Sequence, residues 1–215
     1  MGNLLRKEFA LAMHPTAFVF LLLSALLLIP NYPYYLTFFY TGLAIFFTCL
    51  NGRENHDILY TLMLPIQKRE VVKARFLFAV ILEMMQMLLA VPFAILRQSY
   101  DLPGNMVGMD ANIAFFGFSF VMLGIFNFVF FIAYYKNPIK VGISFLMSST
   151  AITIYMLAAE TCAHTVPFVR DCLDTSDPEH FSEKILVLVW GIAIYLLLTG
   201  IAYRKSIASF EKLDQ

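Results

Sequence analysis

Long apolar runs dominate this chain of 215 residues and limit what it can fold into. A helix needs about 20 mostly apolar residues to cross a hydrocarbon core roughly 30 Å thick. Only 14% of the residues are charged, against about 25% in a typical soluble domain. The composition therefore predicts an all-α polytopic membrane protein that forms one domain, residues 1–215. Six runs supply the predicted spans: Thr16–Ile29, Tyr34–Leu50, Phe76–Leu96, Ile113–Tyr134, Ile139–Ala159 and Ile185–Tyr203.

The N-terminal stretch, residues 1–14, precedes the shortest of these runs. Leu5, Phe9, Ala12 and Met13 recur at helical spacing and form one apolar stripe. One interpretation is an amphipathic helix that lies flat at the cytoplasmic membrane surface. The alternative is an extension of span one with a kink at Pro15. No small-residue cleavage site follows the first run, so we expect it to be a retained span rather than a signal peptide.

Basic residues predict the orientation of the six spans. Twelve of the 15 Lys and Arg residues lie before span one, after span six, or in the segments that join spans two to three and four to five. The remaining three, Arg97, Arg170 and Lys184, lie in the other connections. The positive-inside rule then places both termini in the cytoplasm, in a multi-pass protein of the plasma membrane. A five-span arrangement would break this agreement.

The predicted extracellular loop, residues 160–184, is the one sizeable acidic segment. Its acids are Glu160, Asp171, Asp174, Asp177, Glu179 and Glu183. Such a surface either attracts a cationic substrate or partner or is an ordinary solvated loop. Cys162 and Cys172 share this loop on the oxidising side of the membrane and are a candidate disulfide pair. His164 and His180 lie nearby, but no metal-binding spacing such as C-x-x-C appears, so we expect no metal site.

The segment from Asn51 to Arg75 between spans two and three carries both charge signs and an apolar stripe. Ile58, Leu59, Leu62 and Met63 lie at helical spacing. Pro65 should end that helix, because a residue before proline is disfavoured in the α region. A second helix is predicted to restart near Gln67 and run into span three. The bend presents an apolar surface that either fits a groove in a partner protein or lies against the bilayer.

This order of features resembles permease subunits of the ABC-2 type. The resemblance rests on Leu4-Leu5-Arg6-Lys7-Glu8-Phe9 before span one, and on the segment Asp57–Arg75 with its Leu64-Pro65-Ile66 turn and following basic residues. Gln67 stands where the family more often has Ser or Thr. The small size is most similar to compact permeases of bacterial peptide or bacteriocin exporters.

The resemblance implies that the cytoplasmic segment 51–75 couples the spans to a separate ABC ATPase subunit. The residues expected to do so are Asp57, Leu62, Leu64, Pro65, Ile66, Lys68, Arg69 and Glu70, with a smaller contact from Asn137 and Pro138. The chain has no G-x-x-x-x-G-K-[ST] phosphate loop, so we expect it to be no enzyme and to bind no cofactor itself. ATP and Mg²⁺ are expected in the partner. A second permease subunit, identical or paralogous, completes the expected assembly, and the expected substrate is a peptide or an amphipathic small molecule.

One carboxylic acid and two carboxamide side chains lie within the predicted spans. Glu83 and Gln86 are one turn apart in span three, and Asn127 lies in span four. An acidic residue costs about 2.5–3.5 kcal/mol at the bilayer centre on insertion scales, so Glu83 should face protein or water. These residues either line a substrate path or form a hydrogen bond between spans, for example from Asn127 to Glu83.

Two other functions stay open from the residues alone. An intramembrane protease or lipid-modifying enzyme needs clustered catalytic groups, and the spans hold one Glu, one Asn and one Gln without a His pair or an activated nucleophile. A non-catalytic binding or immunity protein needs no such groups. No basic patch of the kind that binds nucleic acid is present.

Overall fold

The computed structural model describes residues 2–100 and 105–213, and every regular element within them is helical. Six short helical elements precede the first long helix or interrupt the connections, and five helices are long. The α-helices are α1 (Gly2–Lys7), α2 (Thr16–Leu22), α3 (Tyr35–Glu54), α4 (Asp57–Leu62), α5 (Lys68–Ser99), α6 (Ile113–Lys136), α7 (Val141–Thr165) and α8 (Phe181–Glu211). The π-helical turns Glu8–Ala12 and Val169–Leu173 and the 3-10 segment Leu23–Leu28 complete the described elements.

Five helices, α3 and α5 to α8, are long and apolar enough to cross a membrane. A sixth crossing is reached if the N-terminal pair counts as one broken span. In that pair, residues 2–12 meet residues 16–28 at a bend of 89°. The all-helical polytopic fold predicted from the sequence is therefore confirmed.

A bend of 89° lies between the N-terminal helix and the first span. The helix that starts at Gly2 breaks at Met13, whose ψ of 126° is no longer helical, just before Pro15. Such a break fits both interpretations, a helix on the membrane surface and an extension of span one with a kink at Pro15. The first span itself is α-helical only to Leu22 and then tightens into 3-10 geometry. Placement of residues 1–14 in the membrane surface stays a prediction.

The connections meet at two opposite ends of the bundle. One end is here called the basic end. It contains the N-terminal helix, α4, the α6–α7 connection and the C-terminal part of α8. At the other, here called the acidic end, the α2–α3 turn contacts residues 105–107, because Asn105 Nδ2 donates to Tyr32 O at 3.0 Å and Met106 N donates to Asn31 Oδ1 at 3.0 Å. Successive connections therefore alternate between the two ends of the bundle. The basic residues predict the same alternation between cytoplasmic and extracellular loops.

Helices α6 and α8 approach each other closely at a pair of glycines, Gly117 near the start of α6 and Gly191 in the first half of α8. A β-carbon added to Gly117 would lie 2.7 Å from Val187 O, and one added to Gly191 would strike the Gly117 carbonyl. Small residues permit such close backbone approach between membrane helices, where packing replaces the hydrophobic effect as the main attraction. This contact fixes α8 against α6 and positions the polar cluster described below.

Helices α5 and α8 are longer than a bilayer requires. Their 32 and 31 residues correspond to roughly 48 and 47 Å at 1.5 Å per residue. The excess lies at the basic end, where Lys68 at the start of α5 donates to the carbonyl of Leu213 beyond α8. The Lys68 ammonium also lies 5.9 Å from the centre of the Phe210 ring. The second half of the segment 51–75 is thus continuous with span three, as the sequence predicts.

Candidate coupling site at the basic end

The short helix α4 and the turn after it form an exposed apolar surface. Helix α4 starts after His56, whose φ of 52° is left-handed, and ends just before the Leu64-Pro65 break. Tyr60, Met63 and Leu64 expose 63%, 70% and 55% of their surface. Contiguous exposed apolar residues of this kind mark interaction sites or membrane contacts. The predicted helix, break and second helix are all present, with bounds at Leu62 and Lys68.

A buried ionic cluster holds α4 against two other elements. Arg75 on α5 makes two ion pairs, from Nε to Glu8 Oε2 at 2.8 Å and from Nη2 to Asp57 Oδ2 at 2.7 Å. Lys7 closes the ring, with Nζ at 3.0 Å from Glu8 Oε1 and 2.8 Å from Asp57 Oδ1. Lys7 Nζ also donates to Thr61 Oγ1 at 3.2 Å on α4. The four charges join the N-terminal helix, α4 and the start of span three.

The geometry of this ionic cluster depends on the guanidinium group. Arginine carries several donors in a planar fork, so one side chain can bridge two carboxylates, whereas the ammonium of lysine is a single point. The Glu8 and Arg75 side chains are only 1% and 3% exposed. The two acids and two bases cancel in charge, and their mutual attraction offsets the cost of removing the buried Glu8 and Arg75 from water. The cluster therefore behaves as a rigid link rather than as a set of surface ion pairs.

The second basic-end connection, residues 137–140, lies beside α4. Arg53 Nη1 reaches Ile139 O at 3.5 Å. A groove of about 270 Å³ separates the two segments and is lined by Leu59 on one side and by Pro138 and Ile139 on the other. Ile139 is exposed at its rim. The two segments that the resemblance assigns to one partner thus form one surface in the structure.

The structure places the other predicted coupling residues in different surroundings. Leu62 and Ile66 are half-buried, and Pro65, Arg69, Glu70 and Asn137 are exposed. Asp57 belongs to the ionic cluster, and Lys68 is held by the C-terminus of α8. Only part of the predicted set is therefore free to contact a partner directly.

Sequence reasoning missed Glu8 and Arg75 as a pair. They are 67 positions apart; Arg75 was counted only as a basic residue that sets orientation, and Glu8 only as part of the stretch that carries the family resemblance. The available signal was that Glu8 is the only acid in the first 53 residues. An acid next to an apolar stripe at a membrane surface needs a basic partner.

The polar residues inside the spans form a second cluster. Glu83 Oε2 accepts from Asn127 Nδ2 at 3.0 Å and from Tyr195 OH at 2.6 Å. Asn127 Nδ2 also donates to Thr199 Oγ1 at 3.2 Å on α8. Gln86 turns away to the first span, where its Nε2 donates to Ser24 Oγ at 2.9 Å. The predicted hydrogen bond from Asn127 to Glu83 is present.

Glu83, Gln86 and Asn127 are each 0% exposed. In this conformation they connect spans one, three, four and six rather than line an open channel. A role in a substrate path stays a prediction for these residues.

Two further predictions concern the acidic end. Cys162 is exposed on α7 and Cys172 is half-buried in the π-helical turn, both as free thiols, so their pairing stays a prediction. In the described part of the chain, no three His, Cys, Asp or Glu side chains converge as metal ligands. Helix α7 extends to Thr165, and the connection to α8 spans residues 166–180.

The fold is that of a polytopic α-helical membrane protein. The family described as "ABC-2 family transporter protein" matches residues 3–211. The chain belongs to this family and is a permease-type subunit of an ABC transporter. No curated protein and no solved structure matches it.

Proposed function

We propose that this chain is the permease subunit of an ABC exporter and that its basic end docks on a cytoplasmic ABC ATPase. The observation that carries the proposal is the exposed apolar surface of α4 and the Leu64-Pro65 turn, which projects from the bundle beside Pro138 and Ile139. Twelve basic residues at this end support a cytoplasmic placement. ATP and Mg²⁺ would be held by the partner, which would supply the driving force.

The ionic cluster supports a mechanical role for this surface. A coupling segment must transmit a rigid-body movement, and a segment on a flexible loop would absorb it. Here α4 is fixed to the N-terminal helix and to span three by Arg75 and Lys7. A displacement of α4 by the ATPase would therefore be passed to both elements at once. A second permease subunit, identical or paralogous, would complete the translocation path for a peptide or an amphipathic small molecule.

The test is co-expression of the tagged chain with its cognate ABC ATPase, followed by purification and an ATPase assay. Leu64→Asp places a charge on the proposed apolar contact and should abolish co-purification. Met106→Asp adds the same charge to an exposed apolar side chain at the acidic end, away from the proposed contact, and is the matched control. Loss of the complex in the Leu64 variant alone supports the proposal. Equal co-purification of both variants contradicts it, as does the wild-type chain emerging without an ATPase.

A further inference from the structure

A groove, here called the outer groove, runs between the second half of α6 and the first half of α7. Its walls are apolar and include Phe128, Val129, Ile132 and Ala133 from α6 and Ile143 and Met147 from α7. Ile143 and Met147 are 53% and 52% exposed, so the groove opens toward the lipid. Its mouth, at the basic end of the bundle, is polar and is formed by Lys136, Asn137 and Lys140.

The turn between α6 and α7 brings two lysines to this mouth. Lys140 N donates to Asn137 O at 3.0 Å, and Ile139 N donates to Asn137 Oδ1 at 3.2 Å. Because these bonds close the turn, Lys136 at the end of α6 and Lys140 just before α7 stand on the same groove. Both side chains are exposed. Neither of them lines the groove beside α4, so the outer groove is separate from the coupling surface.

A third lysine reaches the outer groove from α8. Lys205 Nζ lies 5.5 Å from the centre of the Phe128 ring, which lines the groove. Helices α6 and α8 run in the same direction, and the rings of Tyr135 and Phe210 meet at 5.3 Å. Lys205, five positions before Phe210, is therefore level with Phe130, five positions before Tyr135. The ammonium thus stays beside the apolar wall instead of extending outward to the rim, as lysines near helix ends commonly do.

In the described part of the chain, no carboxylate pairs with these three lysines. Neither α6, nor α7 up to Glu160, nor the turn between them carries an acid, since the sequence has none between Asp110 and Glu160. The ion pairs among the described residues include none of Lys136, Lys140 and Lys205. The outer groove therefore combines apolar walls with positive charge that the protein does not balance.

Charge complementarity identifies the occupant. An anionic phospholipid carries both an acyl chain for the walls and a phosphate for the lysines, and it is present in the membrane around the groove. A helix of a second copy could cover the walls, but it would bring no exposed carboxylate to the level of Lys205. On its α8 the nearest acid, Glu211, is six residues farther out, and Glu83, inside its third span, is 0% exposed.

We propose that the outer groove binds an anionic phospholipid of the membrane leaflet at the basic end. The phosphate is held by Lys136, Lys140 and Lys205, and an acyl chain lies along Phe128 and Met147. Binding requires neither an ATPase nor nucleotide. Failure of this proposal would leave the coupling proposal standing, and the reverse also holds.

The test is native mass spectrometry of the purified full chain in a nonionic detergent, titrated with dioleoylphosphatidylglycerol. Dioleoylphosphatidylcholine is the probe of equal chain length without net charge. One basic residue contributes about fivefold to the binding of an anionic lipid. Lys140→Gln and Lys205→Gln should therefore each weaken binding of the first phosphatidylglycerol molecule about fivefold and leave phosphatidylcholine binding unchanged. Lys140→Arg keeps the charge and should bind phosphatidylglycerol as the wild type does.

Lys73→Gln is the matched control, because it removes the same charge from an exposed position at the basic end that does not line the outer groove. It should leave phosphatidylglycerol binding unchanged. Equal losses in Lys73→Gln and Lys140→Gln overturn the proposal and assign the preference to diffuse surface charge. Equal wild-type affinity for the two lipids also overturns it.

Two further outcomes would assign the outer groove to another occupant. Glycerol 3-phosphate, which has the phosphate but no acyl chain, should not displace the bound lipid, and displacement overturns the proposal in favour of a free phosphate. The same spectra report the oligomeric state. A Lys140→Gln variant that keeps phosphatidylglycerol binding but loses dimer overturns the proposal and assigns the groove to a second copy.

Discussion

Replacement of Arg75 by methionine isolates the energetic role of the ionic cluster. Methionine keeps much of the length and apolar volume of the side chain but removes the charge and its donors. Glu8, only 1% exposed, then loses its contact at 2.8 Å, and Asp57 loses its contact at 2.7 Å. Both acids keep Lys7, at 3.0 and 2.8 Å. The variant therefore leaves two acids to share one ammonium.

The expected cost follows from the burial of the remaining charges. Removal of one partner from a buried ion pair typically costs about 3–5 kcal/mol, because the other charge stays desolvated. Lys7 compensates in part, so we expect a loss near the lower bound, about 3 kcal/mol. Arg75→Lys should lose less, since the charge is kept, but one ammonium cannot hold both carboxylates at the geometry of a guanidinium.

The assay is a double-mutant cycle on the chain unfolded by denaturant in mixed micelles. Glu8→Gln removes the charge of the buried acid with little change in shape. The double variant combines Arg75→Met and Glu8→Gln. If Arg75 and Glu8 are in contact, its loss of unfolding free energy should be smaller than the sum of the two single losses by at least about 1 kcal/mol. If the two single losses sum to the loss in the double variant within about 0.5 kcal/mol, the account of the ionic cluster is refuted. The same variants should lower ATPase stimulation by the permease without preventing the subunits from associating.

Three further predictions concern the spans and the acidic end. Glu83→Gln should keep an acceptor for Tyr195 and Asn127 and cost less than about 1 kcal/mol of unfolding free energy. Glu83→Leu should cost about 2 kcal/mol, because Tyr195 loses its contact to Glu83 and Asn127 keeps only Thr199. Equal unfolding free energies for the two variants would exclude these hydrogen bonds. Transport that is unchanged in well-expressed Glu83→Gln would exclude an essential role of the carboxylate in the substrate path. Burial raises the pKa of Asp174 from 3.8 to about 6, so the folded state holds this proton more tightly and its stability should fall as pH rises from about 4 to 6. The stability of Asp174→Asn relative to the wild type should therefore rise across that window. The expected rise is about 1 kcal/mol once solvent screening of this partly exposed group is included. Melting temperatures of the two proteins that differ by the same amount at every pH would contradict this.

The sequence predicted the parts of the fold that depend on local pattern. Apolar run length identified the spans, and the Leu64-Pro65 step located the break between α4 and α5. The resemblance to ABC-2 permeases and the helical polytopic fold are confirmed by the family match and by the structure. Each of these signals lies within a window of a few turns, where helix periodicity and proline chemistry act directly.

The contacts that the sequence did not predict are long-range and side-chain specific. Glu8 and Arg75 meet only because the N-terminal helix turns by 89° before the first span. Gln86 shares a helix face with Glu83 in sequence, but its partner is Ser24 rather than Asn127. A polar residue in a span signals that a partner exists, and the arrangement of neighbouring helices decides which one. The close passage of Gly117 and Gly191 sets that arrangement and has no local signature beyond two small residues.

Site-specific photo-cross-linking tests the central claim, that α4 at the basic end docks on the ATPase in the cytoplasm. A photoreactive residue at Leu64, 55% exposed at the basic end, is compared with one at Met106, 83% exposed at the acidic end. The account predicts an ATPase cross-link from position 64, stronger when nucleotide closes the ATPase, and none from position 106. A cross-link from position 106 without one from position 64 would contradict both the orientation and the docking surface.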